Sequence, residues 1–197
     1  VMIARKVHYL TIKKKENVMI ARKVHSLTKK QKNTKAMIAR KVNSLTKNKN
    51  VFCEKPIAIS VKEADEMLDT AKAFDVGLFV THNMRFDPIS YQIHEFIKSE
   101  KIGKVFMGHI AYLGYEVERL ADPNNWKGDM KKAGGGVLID GGYHILDLAN
   151  FYFGKVESVQ AMSGKYIIQL PNKGEDNISL LVRYATGAII NFQVSFT

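Results

Sequence analysis

Residues 51–82 run VFCEKPIAISVKEADEMLDTAKAFDVGLFVTH. Val51–Glu54 reads as a short buried strand, from the apolar run Val51, Phe52 and Cys53 that precedes Glu54. The segment SVKEADEMLDTAKAFD predicts a helix, with Ser60 and Glu63 spaced as a capping box and Gly77 just past the end. GLFVTH then reads as a second buried strand. Strand, helix and strand in so short a span point to a parallel α/β layer. Glu54 and Lys55, followed by Pro56, fall at the carboxyl end of the first strand, where open α/β sheets bind ligands. Lys55 can donate to a substrate hydroxyl or carbonyl oxygen; the plain alternative is a solvated loop lysine. Cys53 reads as a small buried strand residue.

Downstream, THNMRFDP places Asn83 and Arg85 after the second strand, again at a carboxyl end. Arg85 either fixes an anionic or hydroxyl-rich group or pairs with a nearby acid. Asp87 and Pro88 form an N-cap and first-turn pair. They open a helix with Ile89, Ile93, Phe96 and Ile97 on one face, closed by Gly103. From Lys104 the texture changes to long strands. These are KVFMGHIAYLGYE, VESVQAMSGKYIIQL and NISLLVRYATGAIINFQVSF, the last folding back at Thr186-Gly187. One helix, 142–153, is expected to cover this mainly antiparallel α+β sheet. A sheet ending on GAIINFQVSFT would leave a raw edge.

The stretch GGGVLIDGGYHILDL, residues 134–148, is the second concentration of chemistry. Asp140 and His144 are four apart and share a helix face. With a helix start at Gly141–Gly142, the positive end of its dipole disfavours protonation of His144, which suits a general base. Gly134–Gly136 would let backbone approach a ligand, and Asp147 would orient the imidazole. The competing reading makes Asp140 an N-cap, His144 a polar helix residue and the glycines a tight turn. A metal site is not expected, because no convergent ligands come from a second segment.

Upstream, one phrase occurs three times: VMIARKVHYLT from Val1, VMIARKVHSLT from Val18 and AMIARKVNSLT from Ala36. Each copy carries an i, i+4, i+7 apolar stripe, such as Ile20, Val24 and Leu27, and predicts a short helix. Residues 1–50 hold 15 Lys and Arg against one acid, Glu16; residues 51–197 hold 15 against 18 acids. The net charge of +11 therefore belongs to the repeats. Nucleic-acid binding is argued against, since the repeats contain one aromatic residue, Tyr9, for base stacking. No apolar run approaches the roughly 20 residues that span a bilayer, and the start has no secretory h-region. The single cysteine favours a reducing compartment. The expectation is a soluble, cytoplasmic protein without membrane contact.

VFCEKP, THNMRFDP, WKGD and GGGVLIDGGYHILDL, in this order and spacing, resemble the glucose–fructose oxidoreductase and inositol dehydrogenase (Gfo/Idh/MocA) superfamily. The resemblance covers about residues 36–197. It implies a partial Rossmann-like α/β layer followed by an open α+β sheet, an NAD or NADP cofactor, and a small polyol or sugar substrate. It implies that Lys55 contacts substrate near the nicotinamide, that Asp140 helps bind substrate, and that His144 takes or gives the hydroxyl proton. It places Glu54, Lys55, Pro56, Asn83, Arg85, Trp126 and Lys127 around the cofactor, with Lys127 departing from the family's usual arginine. Lys55, Asp140 and His144 are expected at one cleft, and homo-oligomer contacts through the sheet.

The implied organisation is residues 1–35 as two extra copies of the 36–46 segment, 36–103 as a remnant of the dinucleotide-binding domain, and 104–197 as an incomplete substrate and oligomerisation domain. The family's G-x-G-x-x-G turn is absent, and no glycine precedes Gly77. The third repeat fits the helix the family has before its EKP strand. The expectation is thus an N-terminally truncated oxidoreductase, also open to truncation at its other end, with impaired activity. The alternative is a non-catalytic binding or oligomerisation protein whose basic helices contact an acidic partner.

Overall fold

The computed structural model describes residues 18–20 and 42–197, and its contacts divide the chain between Thr81 and His82. In the first unit, strands β1 (Val18–Ile20), β2 (Asn50–Cys53) and β3 (Leu78–Val80) form a sheet of order β1-β2-β3 with both pairings parallel. The start of the second repeat is therefore a strand, where its apolar stripe predicted a helix. Val18 and Ile20 are β-branched and suit a strand. Pairing Val18 with Asn50 and Ile20 with Phe52 also satisfies an edge of β2 that would otherwise be left open. The rest of the first two repeats, and residues 36–41 of the third, lie outside the described residues.

Residues 42–45, from the third repeat, are helical, and Thr46 N–H donates to the Val42 carbonyl. Leu45 is fully buried with Val51, Cys53, Ile57 and Met67. Helix α1 (Val61–Ala73) packs Ala64, Met67 and Ala71 into the same core. Ser60 Oγ accepts from Glu63 N–H as expected, but the Glu63 carboxylate accepts from Ile59 N–H, one residue earlier than a capping box requires. β3 is half-buried along its length, where the apolar run suggested full burial.

In the second unit, a 3-10 turn (Asn83–Phe86) leads into α2 (Pro88–Lys98), capped by Asp87 on Ser90 N–H. The apolar face expected to be buried on α2 is largely open: Ile89, Ile93 and Phe96 are exposed, and Ile97 alone of the four packs on the core. Sequence texture changes near residue 104, yet α2 groups with the later unit. His94 stacks on Phe151 at 3.8 Å, which ties α2 to the covering helix.

The sheet of this unit contains β4 (Met107–Leu113), β5 (Val156–Gly164), β6 (Asn177–Tyr184) and β7 (Ile189–Ser195) in the order β4-β7-β6-β5. β5, β6 and β7 are antiparallel neighbours, and β4 runs parallel to β7. The last strand is thus interior, flanked on both sides, and not the raw edge its position in the chain suggested. The β6–β7 hairpin turns at Gly187, whose φ of +89° favours glycine. Strict alternation sorts the two faces. Leu180, Val182, Tyr184, Ile190, Phe192 and Val194 are buried, while Ser179, Leu181, Asn191 and Gln193 are exposed.

Helix α4 (Tyr143–Phe153) contributes Ile145, Ala149 and Phe153 to the core formed by the buried face. A short helix, α3 (Val117–Ala121), follows β4. No helix among the described residues is long and apolar enough to cross a membrane.

Candidate active site

The segment that carries Asp140 and His144 begins earlier than its glycines suggested. Leu138–Gly142 form a π-helical turn that runs directly into α4. The N–H groups just ahead of that turn and at its first residue are taken by one residue. The Glu175 carboxylate accepts from Gly136 and Leu138, each at 3.1 Å, and the Glu175 carbonyl accepts from Val137 at 2.9 Å. His144 therefore sits inside a continuous helical run whose positive end is answered by Glu175. The helix start expected at Gly141–Gly142 thus lies about one turn earlier, at Leu138.

Gly136 serves the same joint. A Cβ there would lie 2.0 Å from the Glu175 carbonyl oxygen and 2.5 Å from its nitrogen. This glycine admits the protein's own backbone, not a ligand as expected.

Asp140 is held by two cations. Lys127 Nζ lies 3.1 Å from Oδ1, and Arg119 Nη2 lies 3.3 Å from Oδ2. Arg119 also donates from Nε to Glu116 at 2.5 Å. Partial burial works against the charge of Arg119, but Glu116 and Asp140 outweigh it and raise its pKa. Asp140 and Lys127, both singled out in the sequence, are thus brought together, with the exposed Trp126 beside them.

The loop bearing Trp126 and Lys127 is knitted to residues 172–176. Lys173, 2% exposed, donates from Nζ to the carbonyls of Asn125 (2.5 Å) and Lys127 (2.9 Å). Asp129 accepts from Asn172 and from the N–H groups of Lys131 and Lys132. Burial opposes its ionised form, yet these donors hold its pKa below the usual carboxylate value. Asp176 behaves alike, accepting from Tyr166, Ile167, Ile168 and Asn177.

Arg85 is engaged by an acid, the second of its two readings. Its Nε and Nη2 reach Oδ2 and Oδ1 of Asp147 at 2.6 and 2.5 Å, and His82 Nδ1 lies 3.1 Å from Oδ2. Burial raises the Asp147 pKa, but His82 and Arg85 more than reverse it, so the carboxyl titrates below its ordinary value. Asp147, read as the orienter of His144, fastens the 82–85 segment to α4. His82 also stacks on Tyr143 at 5.3 Å, and Arg85 lies 5.1 Å from the Phe151 ring centre. Asn83, next to them, is exposed.

Glu54, Lys55 and Pro56 belong to the first unit, directly after β2, with Glu54 exposed and the other two half-buried. The Lys55–Pro56 peptide is cis. The Cys53 carbonyl accepts from the backbone and hydroxyl of Thr81, which joins the carboxyl ends of β2 and β3. Sequence reasoning missed Arg119, Lys173 and Glu175. The signal available for the last two was a charged pair flanking Gly174 just before a strand. No group of three or more metal-ligating side chains occurs among the described residues.

Residues 91–197 match the GFO/IDH/MocA C-terminal domain, and residues 21–82 match an oxidoreductase family with an NAD-binding Rossmann fold. The chain is 30% identical over 145 residues to the myo-inositol 2-dehydrogenase of Thermotoga maritima, covering 72% of this chain and 41% of that protein. It is 27% identical over 150 residues to the 1,5-anhydro-D-fructose reductase of Ensifer adhaerens, covering 76% and 44%. A solved levoglucosan dehydrogenase in complex with NADH shares the fold, with a TM-score of 0.74 and 24% identity over 81% of this chain and 44% of that one. The chain spans less than half the length of these relatives.

Proposed function

Since this chain belongs to the GFO/IDH/MocA oxidoreductase family, we propose that it serves NAD(P)-dependent oxidation or reduction of a hydroxyl group on a sugar, an inositol or a related alcohol. The observation that carries this reading is Asp140, fixed by Lys127 and Arg119 one helical turn before His144. A carboxylate so held presents acceptor lone pairs to substrate hydroxyls without drifting. His144 takes the hydroxyl proton during oxidation and returns it during reduction. Lys55 donates a hydrogen bond to a substrate oxygen.

The nicotinamide, when bound, supplies or accepts the hydride. Glu54, Lys55, Pro56 and Asn83, at strand ends or just beyond them, fit the nicotinamide end of such a cofactor, with Trp126, Lys127 and Arg85 further contributors. The pyrophosphate end is different. It needs backbone N–H groups reached through a glycine turn, and no glycine precedes Gly77. These 197 residues therefore supply part of the cofactor's grip, and their own activity is expected to be weak.

That same feature, with the basic character of residues 1–50, favours a second reading as a non-catalytic member that binds an acidic partner. In either case a second copy pairs through the exposed sheet face around Leu181 and Met162, in a reducing cytoplasm where Cys53 stays a thiol.

The test is reduction of NAD and NADP in the presence of myo-inositol and a panel of hexoses. It uses this chain and a fusion that places a glycine-turn Rossmann half ahead of Ala36. Turnover by the fusion, lost in His144→Ala, supports the catalytic reading. A folded fusion that binds cofactor yet oxidises no polyol favours the second.

A further inference from the structure

We propose that Lys173 is a positioning residue for Asp140: its ammonium holds the Asn125 and Lys127 carbonyls and so sets both cations that grip the carboxylate. The inference rests on the reading of Asp140 as a substrate-orienting group. The connections run through named bonds. Lys173 Nζ fixes the main chain of Lys127, whose own Nζ meets Asp140 Oδ1 at 3.1 Å. It also fixes Asn125, whose side chain donates to the Arg119 carbonyl at 2.8 Å and accepts from Lys127 N–H at 3.0 Å. Arg119 then reaches Asp140 Oδ2. One buried ammonium thus sits at the root of both arms.

Lysine is an expensive choice here. Burial pulls its pKa down, and Lys132 and Arg119 add to that against the attraction of Asp129 and Asp122. A methionine would fill similar space with no charge to desolvate, so what lysine adds is its donors. Lys173 does not touch substrate itself. The cavity it lines with Asp140, Gly136 and Glu175 has a volume of about 10 Å³, room for at most one water.

Trp126, the only tryptophan, lies between the two held carbonyls and reports on them directly. Acrylamide quenching of its emission is compared in the full chain for the wild type, Lys173→Met and Lys173→Arg. Lys173→Met is expected to raise the quenching constant about twofold by freeing the loop, and Lys173→Arg, which restores donors, to stay near the wild type. A Lys173→Met protein that unfolds cooperatively but quenches like the wild type overturns the proposal.

If Lys173→Met does not fold, ¹⁵N-lysine NMR of the wild type decides. A slowly exchanging ammonium signal that disappears in Lys173→Arg supports the role, and exchange as fast as surface lysines overturns it. The link to Asp140 is read with myo-inositol as probe. Lys173→Met should weaken binding about tenfold, Lys127→Met by no more than that, and the double variant no further than Lys173→Met, because the Lys127 arm already depends on Lys173. A double loss of about a hundredfold would make them independent and overturn the link. A wild-type chain that binds no polyol counts against the substrate reading, and the Trp126 and NMR results then decide Lys173 alone.

Discussion

Asp147 shows how much one carboxylate decides. It holds Arg85 with both oxygens and His82 with one, and its folded pKa lies below the ordinary 3.8. A depressed carboxylate stabilises the fold fully above its unfolded pKa, and that contribution is lost as pH falls from 3.8 through the lower folded value. Asp147→Asn should therefore cost about 3–5 kcal/mol at neutral pH by stranding a half-buried guanidinium. The gap to wild type in urea unfolding should shrink as the pH is taken towards 2. A loss independent of pH would mean that charge is not what Asp147 supplies. Gly136 is equally constrained, by space. Gly136→Ala must push a Cβ into the Glu175 backbone, and a loss above about 3 kcal/mol, seen in melting temperature or soluble yield, is expected.

At the scale of elements, the local signals and the packing part company on α2. The sequence supplies a correct cap and a clear apolar stripe, but the structure leaves Ile89 67% exposed. Ile89→Asn should change stability by no more than about 0.5 kcal/mol. In α1, by contrast, Ser60 makes a hydrogen bond its alanine variant cannot. Ser60→Ala should cost about 1 kcal/mol in denaturant titration. The second-unit sheet offers the complementary test of its open face. Leu181→Asp places a charge on an exposed position. It should convert any sheet-mediated dimer to monomer in light scattering, and at dilutions where both proteins are monomers it should leave the unfolding midpoint unchanged.

For the whole molecule, the cofactor is the quantity to measure. A complete dinucleotide site holds the pyrophosphate by a glycine turn at a helix N-terminus. With no glycine ahead of Gly77, the lysines of residues 1–50 are expected to attract phosphates as screened charges. Calorimetric titration of this chain with NADH or NADPH should give binding much weaker than about 1 μM, the affinity of roughly −8 kcal/mol, and falling with added salt. Tight, salt-insensitive binding would show that the repeats build a phosphate site of their own.

What the sequence by itself determined is what a few neighbouring residues can encode. The apolar run at Val51–Cys53 gave the place of β2, though its burial alternates; capping residues gave the starts of α1 and α2, and alternation with Thr186-Gly187 gave the β6–β7 hairpin. The motif set around Lys55, Asp140 and His144 gave the family. Only the tertiary structure decided which distant groups meet. Arg85 and Asp147 are 62 residues apart, and Lys173 and Asn125 are 48 apart. No periodicity links such pairs. Val18–Ile20 forms a strand because β2 offers it a ladder, and β7 lies inside the sheet because β4 pairs on its free side. Backbone hydrogen-bonding groups must find partners wherever the fold supplies them, and for those segments the partners lie far along the chain.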